Sequence, residues 1–201
     1  MAAPSTNIEP VAGRRGAPVV LYAGFGLFLL IIGLLVASSL GRRNVQTFSV
    51  SSVPRERSAD WQRSGDTITI DASDDGRWRF VSFSRGETLP VGDAGEWVIA
   101  VERYKVMVNG VAGDAGAVPF EAARAPSNGA FLGAESLGDS TNAALRHWYR
   151  YNFLTHLLEP NGHTYVIRDR LGGMWKIQVL GYYCPGPDAG CLTIRYAPVR
   201  G

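Results

Sequence analysis

The sequence predicts a mainly β protein: one N-terminal transmembrane α-helix followed by an antiparallel β-sandwich-like domain. Three observations carry this. No charged residue occurs from Gly16 to Gly41. Behind that run, short alternating or apolar segments are bounded by Gly, Asp and Pro turns, the pattern of antiparallel strands. No regular alternation of strand and helix follows, which argues against a parallel doubly wound sheet. With 46% hydrophobic and 19% charged residues, the 201-residue chain is neither disordered nor collagen-like, and two cysteines exclude a disulfide-dense mini-scaffold.

In chain order, residues 1–17 are rich in Ala, Pro, Ser and Gly without periodicity, so they read as a cytoplasmic tail with no fold of its own. Residues 18–41 read as the membrane span. Val19–Leu40 alone would extend about 33 Å as a helix, enough for a bilayer core of roughly 30 Å. The run shows no polar face, unlike a helix buried in a soluble domain. The alternative is a cleaved signal peptide with Ala37-Ser38-Ser39 at the cleavage site, but its apolar region is usually shorter. Gly33-x-x-x-Ala37 is a small-xxx-small pair that permits close helix contact.

Residues 42–65 form a polar juxtamembrane linker, with one short strand expected near Gln46–Val50. The domain then spans 66–201. Thr67–Ala72 alternates with Ile68 and Ile70 on one face, and Trp78–Arg85 forms a strand. Glu96–Val108 is long enough for one bent strand or two short ones. Tyr165–Asp169 and Trp175–Tyr183 are joined by a Gly172-Gly173 turn, and Leu192–Ala197 closes the set. Asn109–Asn142 is dominated by Gly and Ala and predicts a long irregular connection, a docking arm or a mobile loop. Ser140–Leu158 is ambiguous. A helix capped at Asp139 or Ser140 competes there with a strand through Trp148-Tyr149-Arg150-Tyr151.

Two indicators of orientation conflict. Arg14 and Arg15 precede the helix, but Arg42, Arg43, Arg55 and Arg57 follow it, which by count places the domain in the cytoplasm. Cys184 and Cys191, however, bracket a Pro- and Gly-rich loop between two strands, a spacing that suits a disulfide. Closing so short a loop is worth about 2.5 kcal/mol on the chain-entropy estimate. Two free buried thiols are the alternative. A disulfide implies an oxidising compartment. The reading adopted is therefore a single-pass protein of the bacterial inner membrane, N-terminus cytoplasmic and C-terminal domain periplasmic.

Enzyme signals are poor. Ser136 sits in an Ala-x-Ser-x-Gly imitation of a nucleophile elbow, but within a Gly/Ala loop rather than a strand-to-helix turn. Phosphate-loop, dinucleotide and zinc-protease motifs are missing. Asp71, Asp74 and Asp75 have the composition of an ordinary turn. A net charge of +2 without a basic stripe argues against nucleic acid. His147, His156 and His163 are weak haem-ligand candidates by residue type, and no metal site is expected. Core packing accounts for most of the aromatic residues, and the remainder are candidates for a partner surface.

The C-terminal pattern resembles that of HmuY-like domains. It comprises Trp148-Tyr-x-Tyr151, Thr155-His156, Pro160, Tyr165-Val-Ile-Arg168, Gly173, Lys176-Ile177, Tyr182-Tyr183 and Leu192–Tyr196, with Trp78–Phe83 and Trp97–Arg103 upstream. The resemblance covers roughly 65–197 and implies an all-β sandwich-like fold. The family's named members are haem-capturing lipoproteins. This chain departs from them in carrying an apolar helix where they have a lipid-anchored cysteine. His156 matches a Thr-His of the pattern, yet the family's haem ligands do not map onto His147, His156 or His163.

The function expected is a non-catalytic accessory subunit of a larger respiratory or photosynthetic-type membrane complex. Its partners would be the other subunits and the lipid bilayer, and it would hold no cofactor of its own. The alternative is a membrane-tethered haem or small-ligand binding protein.

Overall fold

A computed structural model describes residues 17–41, 45–51, 60–90, 95–126, 131–136, 139–186 and 188–199. Most of the expected tail, and the six arginines of the charge count, lie outside them. The chain divides into two units, 1–41 and 42–201.

The first unit is a helix, α1 (Ala17–Gly41), whose large apolar side chains are exposed all round. Such a helix has no face suited to water. By length and composition Pro18–Ser38 can cross a membrane, as can a signal sequence. Gly33 and Ala37 lie one turn apart on one face, and a Cβ at Gly33 would meet nothing within 4 Å.

The second unit is β-rich and wholly antiparallel in its ladders. After the short helix α2 (Trp61–Ser64) come β1 (Asp66–Asp71), β2 (Arg79–Ser82), β3 (Glu87–Leu89), β4 (Ile99–Glu102), β5 (Lys105–Val108) and β6 (Gly110–Asp114). Then follow β7 (Ala134–Ser136), β8 (Asp139–Asn142), β9 (Tyr149–Asn152), β10 (Leu157–Pro160), β11 (Thr164–Asp169), β12 (Met174–Tyr183) and β13 (Ala189–Pro198). A five-stranded sheet has the order β1-β13-β12-β11-β6, and a four-stranded sheet the order β3-β2-β4-β5. β7 pairs with β8, and β9 with β10.

Inward residues of both large sheets merge into one core. Ile68 and Ile70 of β1, Ile167 of β11, Ile177 of β12 and Ile194 of β13 share a buried cluster with Val81 of β2 and Ile99 and Val101 of β4. That is the packing of a sandwich. Trp148 is fully buried beside it and donates its indole N–H to the Tyr104 carbonyl at 2.8 Å, which satisfies its one polar atom.

Several expectations need correction. Trp78–Arg85 is not one strand: β2 ends at Ser82, the chain turns, and Phe83 is buried in the turn. Glu96–Val108, by contrast, is as expected in its two-strand form: β4 and β5 are joined by a tight turn with Arg103 at φ 53°. Near Gln46–Val50 there is one isolated bridge, Thr47 to Tyr183, rather than a strand. The irregular connection expected over Asn109–Asn142 contains β6, which pairs with β11 along the sheet edge, and the hairpin β7–β8. In the ambiguous segment a 3₁₀ turn, Ala143–Leu145, is capped by Asn142, whose side chain accepts from the Ala144 N–H at 3.0 Å. Neither Asp139 nor Ser140 caps it, and β9 follows.

Cys184 and Cys191 are joined in a disulfide with a Cα separation of 4.8 Å, closing the loop between β12 and β13. Part of the expected linker lies on the domain. The Phe48 ring comes within 3.0 Å of where a Cβ on Gly181 would stand, so glycine there makes room for it. Ser51 donates its backbone N–H to the Thr69 carbonyl at 3.1 Å.

Burial pushes the phenols of Tyr165 and Tyr182 up to about 12, in Tyr165 against a hydrogen bond from Asn161 that lowers it. An unfolded tyrosine ionises near pH 10. The stability these neutral phenols contribute is therefore complete below about pH 10 and is lost as pH rises towards 12. Denaturant melts across that window are expected to show falling stability, with a shallower fall in Tyr165→Phe and Tyr182→Phe. An unchanged slope in both variants would contradict this.

Candidate functional site

The histidines occupy separate connections. His147 is exposed in the turn before β9, where its carbonyl accepts from Asn161 Nδ2 at 2.8 Å. His156 ends the β9–β10 turn at φ 56°, and its Nδ1 shares a hydrogen bond with the Tyr151 hydroxyl. His163 precedes β11, with Nδ1 at 2.8 Å from Asp114 Oδ2. If His163 Nδ1–H donates to that carboxylate, Nε2 is left as an acceptor, the tautomer an iron or zinc ligand needs. β10 runs between His156 and His163, four residues or about 13 Å of extended chain.

The acidic turn residues are engaged locally. Asp71 Oδ1 accepts from the hydroxyl and backbone N–H of Ser73, and these bonds hold its carboxyl below the usual range. Asp74 pairs with Arg79 at 2.9 Å and Asp75 with Arg103 at 3.4 Å. Asp71 does gather with Cys184 and Cys191, but both sulfurs are spent in the disulfide. Ser136 lies within β7, in no strand-to-helix turn.

Two concavities stand out. One, about 250 Å³, lies between Trp97, Met107, Asn109, Asn142 and Arg170. The amide nitrogens of Asn109 and Asn142 there donate to the carbonyls of Trp97 and Leu132, which holds the walls rather than a guest.

The other, about 300 Å³, is a groove whose walls include Arg63 of α2, Glu121, Arg124, Lys176 of β12, Pro198 and Val199. Glu121 belongs to the 3₁₀ turn Phe120–Ala122, whose Phe120 is buried. The Phe120 ring carries Lys176 Nζ at 4.7 Å and the Arg195 guanidinium at 4.4 Å from its centroid. Such contacts hold cations against an aromatic face. Arg195 also donates to the Ser64 carbonyl and, at 2.6 Å, to Glu121 Oε1, which ties α2 and the 3₁₀ turn to β13.

Glu121 is thus already engaged. A bond from its own backbone N–H, then Arg195, hold its carboxyl below the usual range. The walls hold three cations, Arg63, Arg124 and Lys176, to that one carboxylate; Arg63 also reaches Asp60 at 4.0 Å, Arg124 donates to the Glu121 and Ala123 carbonyls, and Lys176 is only 6% exposed. A partly desolvated lysine beside two guanidinium groups is chemistry for an anion. Sequence reading missed this groove because its cations come from α2, the Asn109–Asn142 connection and β12, far apart in the chain.

Neither of these two concavities has a histidine in its lining.

Neither a protein-family model nor a curated protein matches the chain. Solved structures do. A protein of Bacteroides vulgatus, ascribed HmuY-like haem binding, matches at 23% identity and TM-score 0.56, covering 69% of this chain and 94% of that one. A protein of Bacteroides fragilis, classed as a lipoprotein, matches at 17% identity and TM-score 0.58 with the same coverage. The apo HmuY analogue of Tannerella forsythia matches at 16% identity and TM-score 0.56, covering 68% and 96%. The β-rich unit of this chain is therefore an HmuY-like domain in fold.

Proposed function

We propose that this chain is a non-catalytic, membrane-tethered binding protein whose HmuY-like domain takes up a small anionic molecule in the groove of Arg63, Arg124 and Lys176. The observation that carries the reading is that Arg63, Arg124 and Lys176 line one groove with a single carboxylate, Glu121, which Arg195 already engages. The fold supports it, since structural neighbours include one ascribed haem binding and one HmuY analogue. Haem itself carries two carboxylates, so it belongs among the ligands to test, held by charge rather than by a histidine.

The accessory-subunit reading has less behind it. It drew on the poverty of enzyme motifs and on the apolar helix, and both suit a tethered binder equally. The fold neighbours favour the binder.

α1 serves as the retained anchor in this reading, and the domain faces an oxidising compartment, which accords with the disulfide. Intact cells treated with a membrane-impermeant thiol reagent test the topology. Cys184 and Cys191 are expected to react only after a reductant is added, and reaction before it, or none after it in intact cells, would place the domain elsewhere.

For the groove, the detergent-solubilised full chain is titrated calorimetrically with haem and with small carboxylates and phosphates. At least one is expected to saturate, with affinity falling tenfold or more in Arg124→Glu and in Arg63→Glu. Replacing His147, His156 and His163 together with Ala is expected to leave binding unchanged. Loss of binding in the histidine variant, with the arginine variants unaffected, would move the site to the histidines.

A further inference from the structure

The β9–β10 hairpin presents apolar side chains on an ordered turn. Phe153 and Leu154 at its tip are 81% and 80% exposed. The turn is nevertheless well made. Asn152 Oδ1 accepts from the backbone N–H groups of Leu154 and Thr155 at 3.0 and 3.2 Å, and the His156 N–H donates to the Asn152 carbonyl at 2.8 Å. The half-exposed ring of Tyr151 meets Phe153 edge-on, with centroids 5.0 Å apart. Two adjacent large apolar side chains held outwards, with an aromatic beside them, form a cluster rather than scattered surface residues.

The hairpin also sits where the chain enters the domain. Thr47 bridges Tyr183, and the Tyr183 hydroxyl accepts from the Leu158 N–H of β10 at 2.7 Å. One residue, Tyr183, thus links the entry segment through its backbone to the hairpin through its hydroxyl. Gly41 ends α1, and four peptide steps from there to Val45 can reach at most about 14 Å. A domain tethered that closely keeps this edge within reach of the bilayer that holds the anchor.

We propose that the tip Phe153-Leu154, backed by Tyr151, inserts into the interfacial layer of the phospholipid bilayer in which α1 is anchored. The proposal rests on the reading of α1 as a retained anchor. Phe and Leu suit the acyl boundary, and a tyrosine suits the headgroup level. It gives the domain a second point of attachment at the Tyr183 end of β12. The cationic groove lies towards the other end of that ten-residue strand, where Lys176 is its third residue.

The test uses the full chain as Phe153→Cys, carrying an environment-sensitive fluorophore, in phosphatidylcholine–phosphatidylglycerol vesicles with and without brominated lipid. The native cysteines form the disulfide, so the new thiol alone takes the label. Leu171→Cys is the control: it is also exposed and apolar, at 66%, but lies in the turn before β12, at the far end from Tyr183. The expected result is blue-shifted emission at 153 with at least twofold quenching by brominated lipid, and neither at 171. Solvent-like emission at 153 in protein that floats with the vesicles overturns the insertion and leaves the anchor standing. A blue shift at 153 without lipid quenching means that a second copy or another protein covers the tip, and also overturns it. A chain that does not float, or whose mature form lacks residues 17–41, removes the anchor reading and the insertion together.

Discussion

The ladder between β12 and β13 is the constraint on which the rest of the domain depends. Both strands are ten residues long, and they pair from Trp175–Pro198 at one end to Tyr183–Ala189 at the other. β1 adds to the outer side of β13 and β11 to the outer side of β12, so four of the five strands of the larger sheet take their place from this pair. The disulfide closes the ladder beyond Tyr183. Each end of it has a different task. The Pro198 end, with Lys176 and Arg195 against Phe120, shapes the cationic groove. The Tyr183 end receives the entering chain and supports the β9–β10 hairpin.

What the sequence made legible follows from how local each signal is. β1, β11, β12 and β13 announce themselves because apolar side chains repeat with a strand's period and Gly-rich turns bound them. The cysteine pair was readable for the same reason, as two strand ends brought together by a short loop. β6 was not readable. Gly110-Val-Ala-Gly-Asp114 has little strand propensity, and its place comes from pairing with β11 more than fifty residues later. Gly110 itself is required there, since a Cβ would stand 2.2 Å from the Arg168 carbonyl oxygen. The break after Ser82 was hidden because Phe83, buried in a turn, reads like one more inward strand residue.

The candidate site was less legible than the fold. The histidines drew attention by residue type, which says nothing about convergence, and the structure puts them on three separate connections. The groove combines Arg63, Arg124 and Lys176, three ordinary surface-type residues in sequence, and only the packing of α2 and a 3₁₀ turn on β12 makes them one feature. Phe120 was equally silent. One of two phenylalanines in a Gly/Ala-rich stretch, it gives no sign that two cations will stack on it.

The cationic groove and the apolar hairpin tip thus belong to opposite ends of one strand, β12. The most direct measurement is native mass spectrometry of the protein extracted from its own membranes in mild detergent. The account predicts a chain that retains α1 and carries one small anionic molecule, which is lost when Arg63 and Arg124 are reversed in charge. Recovery in a stoichiometric assembly with other membrane subunits and no small molecule would contradict it and restore the accessory-subunit role.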